Sequence, residues 1–147
     1  MAKTKFAFDK VIQNMERVKR ELPVVLADMA RKHINENFDK QSFDGKPWAP
    51  LKQSGKKTGK RNNSPMLVQS GRLKRAAVNS VKIVSWDRIV FSLDPGEAPY
   101  AAVHNQGLKA GRGTGFMMPR RQFIGDDEAL KAEQRNTITG YINKIWE

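Results

Sequence analysis

The chain is predicted to be an α+β fold. N-terminal helices and a C-terminal helix pack on a small antiparallel β-sheet, and a long basic loop interrupts them. Three observations predict this. Apolar residues recur every three or four positions near both ends, the period of helices buried along one face. In the middle the period shortens to two on either side of Trp86-Asp87, as in a β-hairpin. Between these regions, Gln53 to Ser64 contains no apolar residue, which reads as a loop.

In chain order, Phe8, Val11, Ile12, Met15, Val18 and Leu22 form the first helical stripe. Asp9 and Glu16 fall early in it and Lys19 and Arg20 late, matching the helix dipole. Pro23 lacks an N–H and disfavours helical angles at Leu22, so a break or kink is expected there. Pro23 then opens a second helix, carried by Val25, Leu26, Met29, Ala30, Ile34 and Phe38 to about Asp39. Phe43-Asp44-Gly45 is a turn signal. Pro47 and Pro50 enforce a stiff extended segment without regular structure, with Trp48 anchored against the body. Ser70 caps a short helix starting at Gly71, with Leu73, Ala76 and Ala77 on one side.

Val81 and Ile83 pair across the hairpin with Ile89, Phe91 and Leu93. Ala98 to Val103 is a third candidate strand after the Asp94-Pro95-Gly96 turn. Gly107 to Gly115 reads as a loop, and Phe116 to Ile124 is apolar but broken by Pro119. Asp126 or Asp127 caps the last helix, which runs through Ala129, Leu130, Ile138, Ile142 and Ile145 with Gly140 a weak point. The expected organisation is one domain over 1–147. Its parts are helices over 1–44, a basic extended loop over 45–65, the sheet region over 66–125 and the final helix over 126–147.

The net charge is +12, from 27 Lys and Arg against 15 Asp and Glu. Ten of the basic residues lie between Gly45 and Trp86, where there is no acid. An acid-free basic stretch fits phosphate contact, an acidic protein partner or a solvated loop. Within Gln53–Ser64 no aromatic residue is available to stack on bases. Structural or protein-interface use is therefore the first reading, and nucleic-acid contact the alternative.

Catalytic patterns are thin. The absence of Cys excludes disulfides, iron–sulfur clusters, Cys nucleophiles and Cys-type zinc sites. No run of AVILMFWYC residues exceeds four, so no membrane span or signal peptide is expected. Gly55 to Arg61 has three residues between its glycines and no Ser or Thr after the Lys, which is not a phosphate loop. Gly111-Arg112-Gly113-Thr114-Gly115 lacks the strand–turn–helix setting of a dinucleotide fingerprint. Gln69-Ser70-Gly71 lacks the first Gly of a nucleophile elbow. His33 and Glu36 lie one turn apart and offer at most two metal ligands. No cofactor is expected.

Four boxes then occur in order: Trp48-Ala49-Pro50-Leu51; Met66-Leu67 with Ser70-Gly71-Arg72-Leu73; Tyr100 to Gly107; and Met118 to Gly125, leading into an acid-started helix. Together they resemble the phage virion morphogenesis (tail completion) proteins of long-tailed phages, of the Mu kind. The resemblance spans about residues 43 to 147. It implies a non-enzymatic assembly factor that joins tail to head as an oligomeric ring, hexameric to match the tail. It also implies tail and head or neck partners, and a location in the virion after assembly in the bacterial cytoplasm.

The residues support such a reading physically. Lys52, Lys56, Lys57, Lys60, Arg61, Arg72, Arg120 and Arg121 are candidates for an oligomer or partner interface, with DNA phosphate the rival ligand. Trp48, Ser70, Gly71, Leu73, Tyr100, His104, Gly107, Pro119, Phe123 and Ile124 are candidate structural positions. Gly107 permits a positive φ at a tight exit. His104 can form a hydrogen bond that fixes this exit, and Phe123 and Ile124 anchor the last helix.

Overall fold

The computed structural model describes residues 8–50, 67–68, 71–111, 113 and 115–147. Most of the expected basic loop falls outside them, as do Ser70, Lys52, Lys56, Lys57, Lys60 and Arg61.

Helix α1 runs unbroken from Phe8 to Lys40, through Pro23. The expected break does not occur. A proline inside a helix costs about 3 kcal/mol through a lost hydrogen bond and a ring clash. Here Pro23 is itself buried, and the turns on both sides are held by tertiary contacts. Asn14 donates through Nδ2 to the Ile145 and Glu147 carbonyls, at 3.1 and 3.3 Å. Ala27, Ala30, Ile34 and Phe38 enter the core. The stripe before Pro23 is present but largely unburied, with Ile12 55% and Met15 41% exposed.

Ser42–Phe43 (β1) and Lys46–Pro47 (β2) make a minimal antiparallel hairpin. Its two-residue turn, Asp44-Gly45, has positive φ at both positions (49° and 74°), the pattern that matches strand twist in tight hairpins. Helix α2 covers Arg72–Asn79, with Gly71 at its start in the left-handed region. Ala76 and Ala77 are buried, and Leu73 packs on the core. Val81–Ser85 (β3) pairs with Arg88–Phe91 (β4) around the Trp86-Asp87 turn as expected.

The expected third strand is instead a helix, α3, over Ala101–Gln106. A four-residue apolar run fits either state, and local bonding decides. Asp94 accepts from the Glu97 and Ala98 amides, and winding continues with Ala101 N to Ala98 O and His104 N to Tyr100 O. Gly107 at φ 68° ends the helix, its amide donating to Val103 O. Gly107 thus has the predicted positive φ, at a helix end and not a strand exit. A Cβ there would lie 3.0 Å from Arg120 Cβ, so the site is closed to larger residues by packing as well as by φ.

The expected Gly-rich loop contains a further pair, Lys109–Ala110 (β5) with Phe116–Met117 (β6). Among the described residues the sheet content is therefore three separate antiparallel pairs. Helix α4 spans Glu128–Lys144, with Asp127 as its N-cap, accepting from Leu130 N at 2.9 Å. It lies antiparallel to α1, as the cross-links Asn14 to Ile145, Gln134 to Leu26 and His33 to Asp127 require. No helix among the described residues is long and apolar enough to cross a membrane.

The core centres on three rings. Phe38 meets Trp48 edge-on (5.5 Å, 87°) and Phe123 at a tilt (5.2 Å, 37°). Phe38 and Phe123 are fully buried. Phe123→Ala is expected to destabilise the chain by about 3–5 kcal/mol. By contrast, Gly140 lies inside α4 with open space where a Cβ would sit, so Gly140→Ala should stabilise by about 0.5–1 kcal/mol. Denaturant melts of the two variants check both values.

Candidate functional site

The Trp48 box, the Tyr100–Gly107 box and the Met118–Gly125 box meet around residues 118–127. This segment has almost no regular structure, yet it carries Phe123 into the core. Its backbone polar groups therefore need partners from elsewhere. Asn105 Oδ1 accepts from both Phe123 N and Ile124 N, at 2.9 and 3.1 Å. Asn37 Nδ2 donates to Phe123 O at 3.2 Å. Trp48 Nε1 donates to Gln122 O at 2.7 Å. The backbone adds Arg121 N to His104 O and Met118 N to Leu108 O.

Arg121 completes this arrangement from inside. It is only 4% exposed, and its guanidinium donates to Ala49 O (Nε, 3.0 Å) and Pro50 O (Nη2, 3.3 Å). Burial lowers its pKa from the usual arginine value. The two adjacent arginines, expected together at an interface, are thus separated. Arg121 turns inward onto the Trp48 box, while Arg120 is exposed and donates to Gln122 Oε1 at 2.8 Å. Arg72 is also exposed and donates to Gly96 O at 2.8 Å.

His104 does not play the expected hydrogen-bonding part through its ring. Its Nδ1 is buried without a hydrogen-bond partner. Its backbone carbonyl and the neighbouring Asn105 side chain do the fixing instead. The ring lines a hollow of about 410 Å³ with Arg72, Leu73, Tyr100 and Glu97. Burial, and then the Arg121 charge, push its pKa below the ordinary histidine value.

Glu36 lies 3.9 Å from Lys32 Nζ. His33 Nε2 lies 2.8 Å from Asp127 Oδ2, so it orients the α4 cap. Among the described residues no group of three or more His, Cys, Asp or Glu is placed to hold a metal ion. Burial raises the Asp127 pKa, but the Leu130 amide and the His33 charge and hydrogen bond outweigh it, and the carboxyl titrates below its usual range.

Asn37, Asn105 and Asn14 were not legible as functional positions. Their signal was a polar residue set within an apolar helical stripe or at a helix end. Such a residue, once buried, must be satisfied by a backbone group.

Charge is distributed unevenly. Of the 27 Lys and Arg, eight lie outside the described residues, with no Asp or Glu among those positions. The described residues hold the remaining 19 against all 15 acids, an excess of only four.

Arg121→Ala should cost about 1.5–3 kcal/mol, because it orphans two carbonyls and a clamp. Arg120→Ala should stay within about 0.5 kcal/mol, as for an exposed side chain. Thermal unfolding of both separates the inward arginine from the outward one.

Stability should also fall on the acid side in two windows. His104 has a lowered folded pKa, so its contribution is present above its unfolded value of about 6.5 and is lost as pH falls through the folded pKa. Asp127 has a lowered folded pKa as well. Its contribution is present above about 3.9 and is lost at still lower pH. Asp127→Asn keeps a good cap and should flatten only the lower window in chemical melts repeated from pH 7 to pH 2.

No curated protein and no solved structure matches the chain. The sequence pattern of the phage virion morphogenesis family matches residues 2–145, from the start of α1 through the end of α4 and across all four boxes. The chain belongs to the phage virion morphogenesis family.

Proposed function

We propose that the chain is a non-enzymatic assembly subunit that completes the phage tail or joins it to the head. It works as a homo-oligomeric ring, six-membered where it matches tail symmetry, at the head-proximal tail end, and it is assembled in the bacterial cytoplasm. One observation carries this reading. Three polar side chains of the family-like boxes are taken up by the chain's own backbone, whereas several large apolar side chains face outward. Asn105, Arg121 and Trp48 all hold internal carbonyls or amides. Tyr100, Phe116, Met117 and Trp146 are all more than half exposed. A subunit built to dock keeps its chemistry inside and its contact area outside.

Light scattering after size exclusion, with and without purified tail tubes, tests the reading. The expected result is a discrete oligomer that caps tubes. A strict monomer that ignores tubes overturns it.

A second reading has one observation behind it: the acid-free basic positions concentrate in a few segments, as a nucleic-acid contact would. DNA affinity should then fall with salt at a log–log slope close to the number of phosphates neutralised. No DNA binding at low salt removes this reading.

A further inference from the structure

Two surfaces of the chain are unfinished, and they complement one another. The first is a groove of about 480 Å³ between α1, α4 and the β3–β4 hairpin. Its apolar walls include Val18, Leu22, Trp86, Phe91, Leu130 and Ile138. Two helices and a hairpin here leave apolar side chains facing one another without closing the space.

The second is the β5–β6 hairpin. Each of its strands is two residues long, and an isolated two-stranded hairpin is marginal in water. Yet it holds Phe116 58% and Met117 66% exposed, beside the exposed Leu108. These three residues are absent from the groove walls, so the knob and the groove are different patches of one chain.

Charge distinguishes the two patches. The knob is flanked by exposed Lys109 and Arg120, and residues 109–121 contain no acid. The groove rim carries Asp87 and Asp126, with Glu16 and Glu128 close by. Its two lysines are already engaged. Lys131 bridges Asp126 and Glu128 at 3.2 and 3.4 Å, and Lys19 lies 3.8 Å from Glu16 and 5.4 Å from the Trp86 ring centre. The rim therefore presents more acid than base to an incoming group.

We propose that the β5–β6 hairpin of one chain seats Phe116 and Met117 in the α1–α4–β4 groove of a second copy. An apolar knob with a basic collar enters an apolar groove with an acidic rim. Because the two patches differ, the contact is head-to-tail, and repetition closes a ring when the rotation per subunit divides the circle. This deepens the ring reading above and rests on it.

The test uses two variants of the full chain. Phe116→Ser with Met117→Ser removes the knob, and Trp86→Lys places a base at the groove mouth. All three positions are more than half exposed, so far-UV circular dichroism and unfolding midpoints should match the wild type. Sedimentation velocity over a concentration series reads association. The wild type should oligomerise, and each variant should associate about thirtyfold more weakly, the scale of losing an interface anchor.

Mixing the two variants is decisive. The knob variant keeps its groove and the groove variant keeps its knob, so together they should form a one-to-one pair and nothing larger. Association of either variant at wild-type strength, a mixture that stays monomeric, or a wild type that stays monomeric throughout overturns the proposal. Tube capping by the wild type is scored in parallel. One-to-one pairing without tube capping sinks the tail reading and leaves the contact standing. Tube capping by either variant at wild-type strength does the reverse.

Discussion

Burying Phe123 on an irregular segment is the constraint around which the rest of the fold is arranged. A strand in a sheet or a turn of helix satisfies its own backbone, but residues 118–127 have neither. Every amide and carbonyl taken into the core beside Phe123 must find a partner from another element, or cost a few kcal/mol. Asn37 from α1, Asn105 from α3 and Trp48 from the segment after β2 supply those partners. Arg121 returns the tie by holding the carbonyls of Ala49 and Pro50. Four stretches far apart in sequence are thus bound through one seam. The Phe38, Trp48 and Phe123 rings fill the space behind it.

This seam also explains the division of labour between inside and outside. Among the described residues the strands form only two-stranded pairs, so no larger sheet braces the core. Asn37, Asn105, Trp48 and Arg121 serve as internal braces instead. What remains outside is apolar area on hairpin tips and helix faces, together with charge. Membership of the phage virion morphogenesis family supports a structural or assembly role for the chain.

The electrostatics sharpen in the same way. The total of +12 is carried unevenly, ten basic residues lying in the acid-free stretch from Gly45 to Trp86. Bases around the β5–β6 hairpin and acids near the start of α4 form opposite patches. Local sign, not net charge, governs how copies of a chain meet.

Much of this is legible in the sequence. Helical stripes, the Asp44-Gly45 and Trp86-Asp87 turns, a cap at Asp126 or Asp127 and the positive φ at Gly107 all follow from local rules, because each depends on residues within one turn of itself. The order of the four boxes was enough to identify the family. Tertiary structure alone decided the rest. It carried α1 through Pro23, because contacts on both sides offset one lost hydrogen bond. It turned Arg121 inward and left Arg120 outside, though the two are adjacent and chemically identical. The reason is the same each time. These outcomes are set by partners more than seventy residues away for Arg121 and Trp48, and no local pattern encodes which neighbour a side chain will meet.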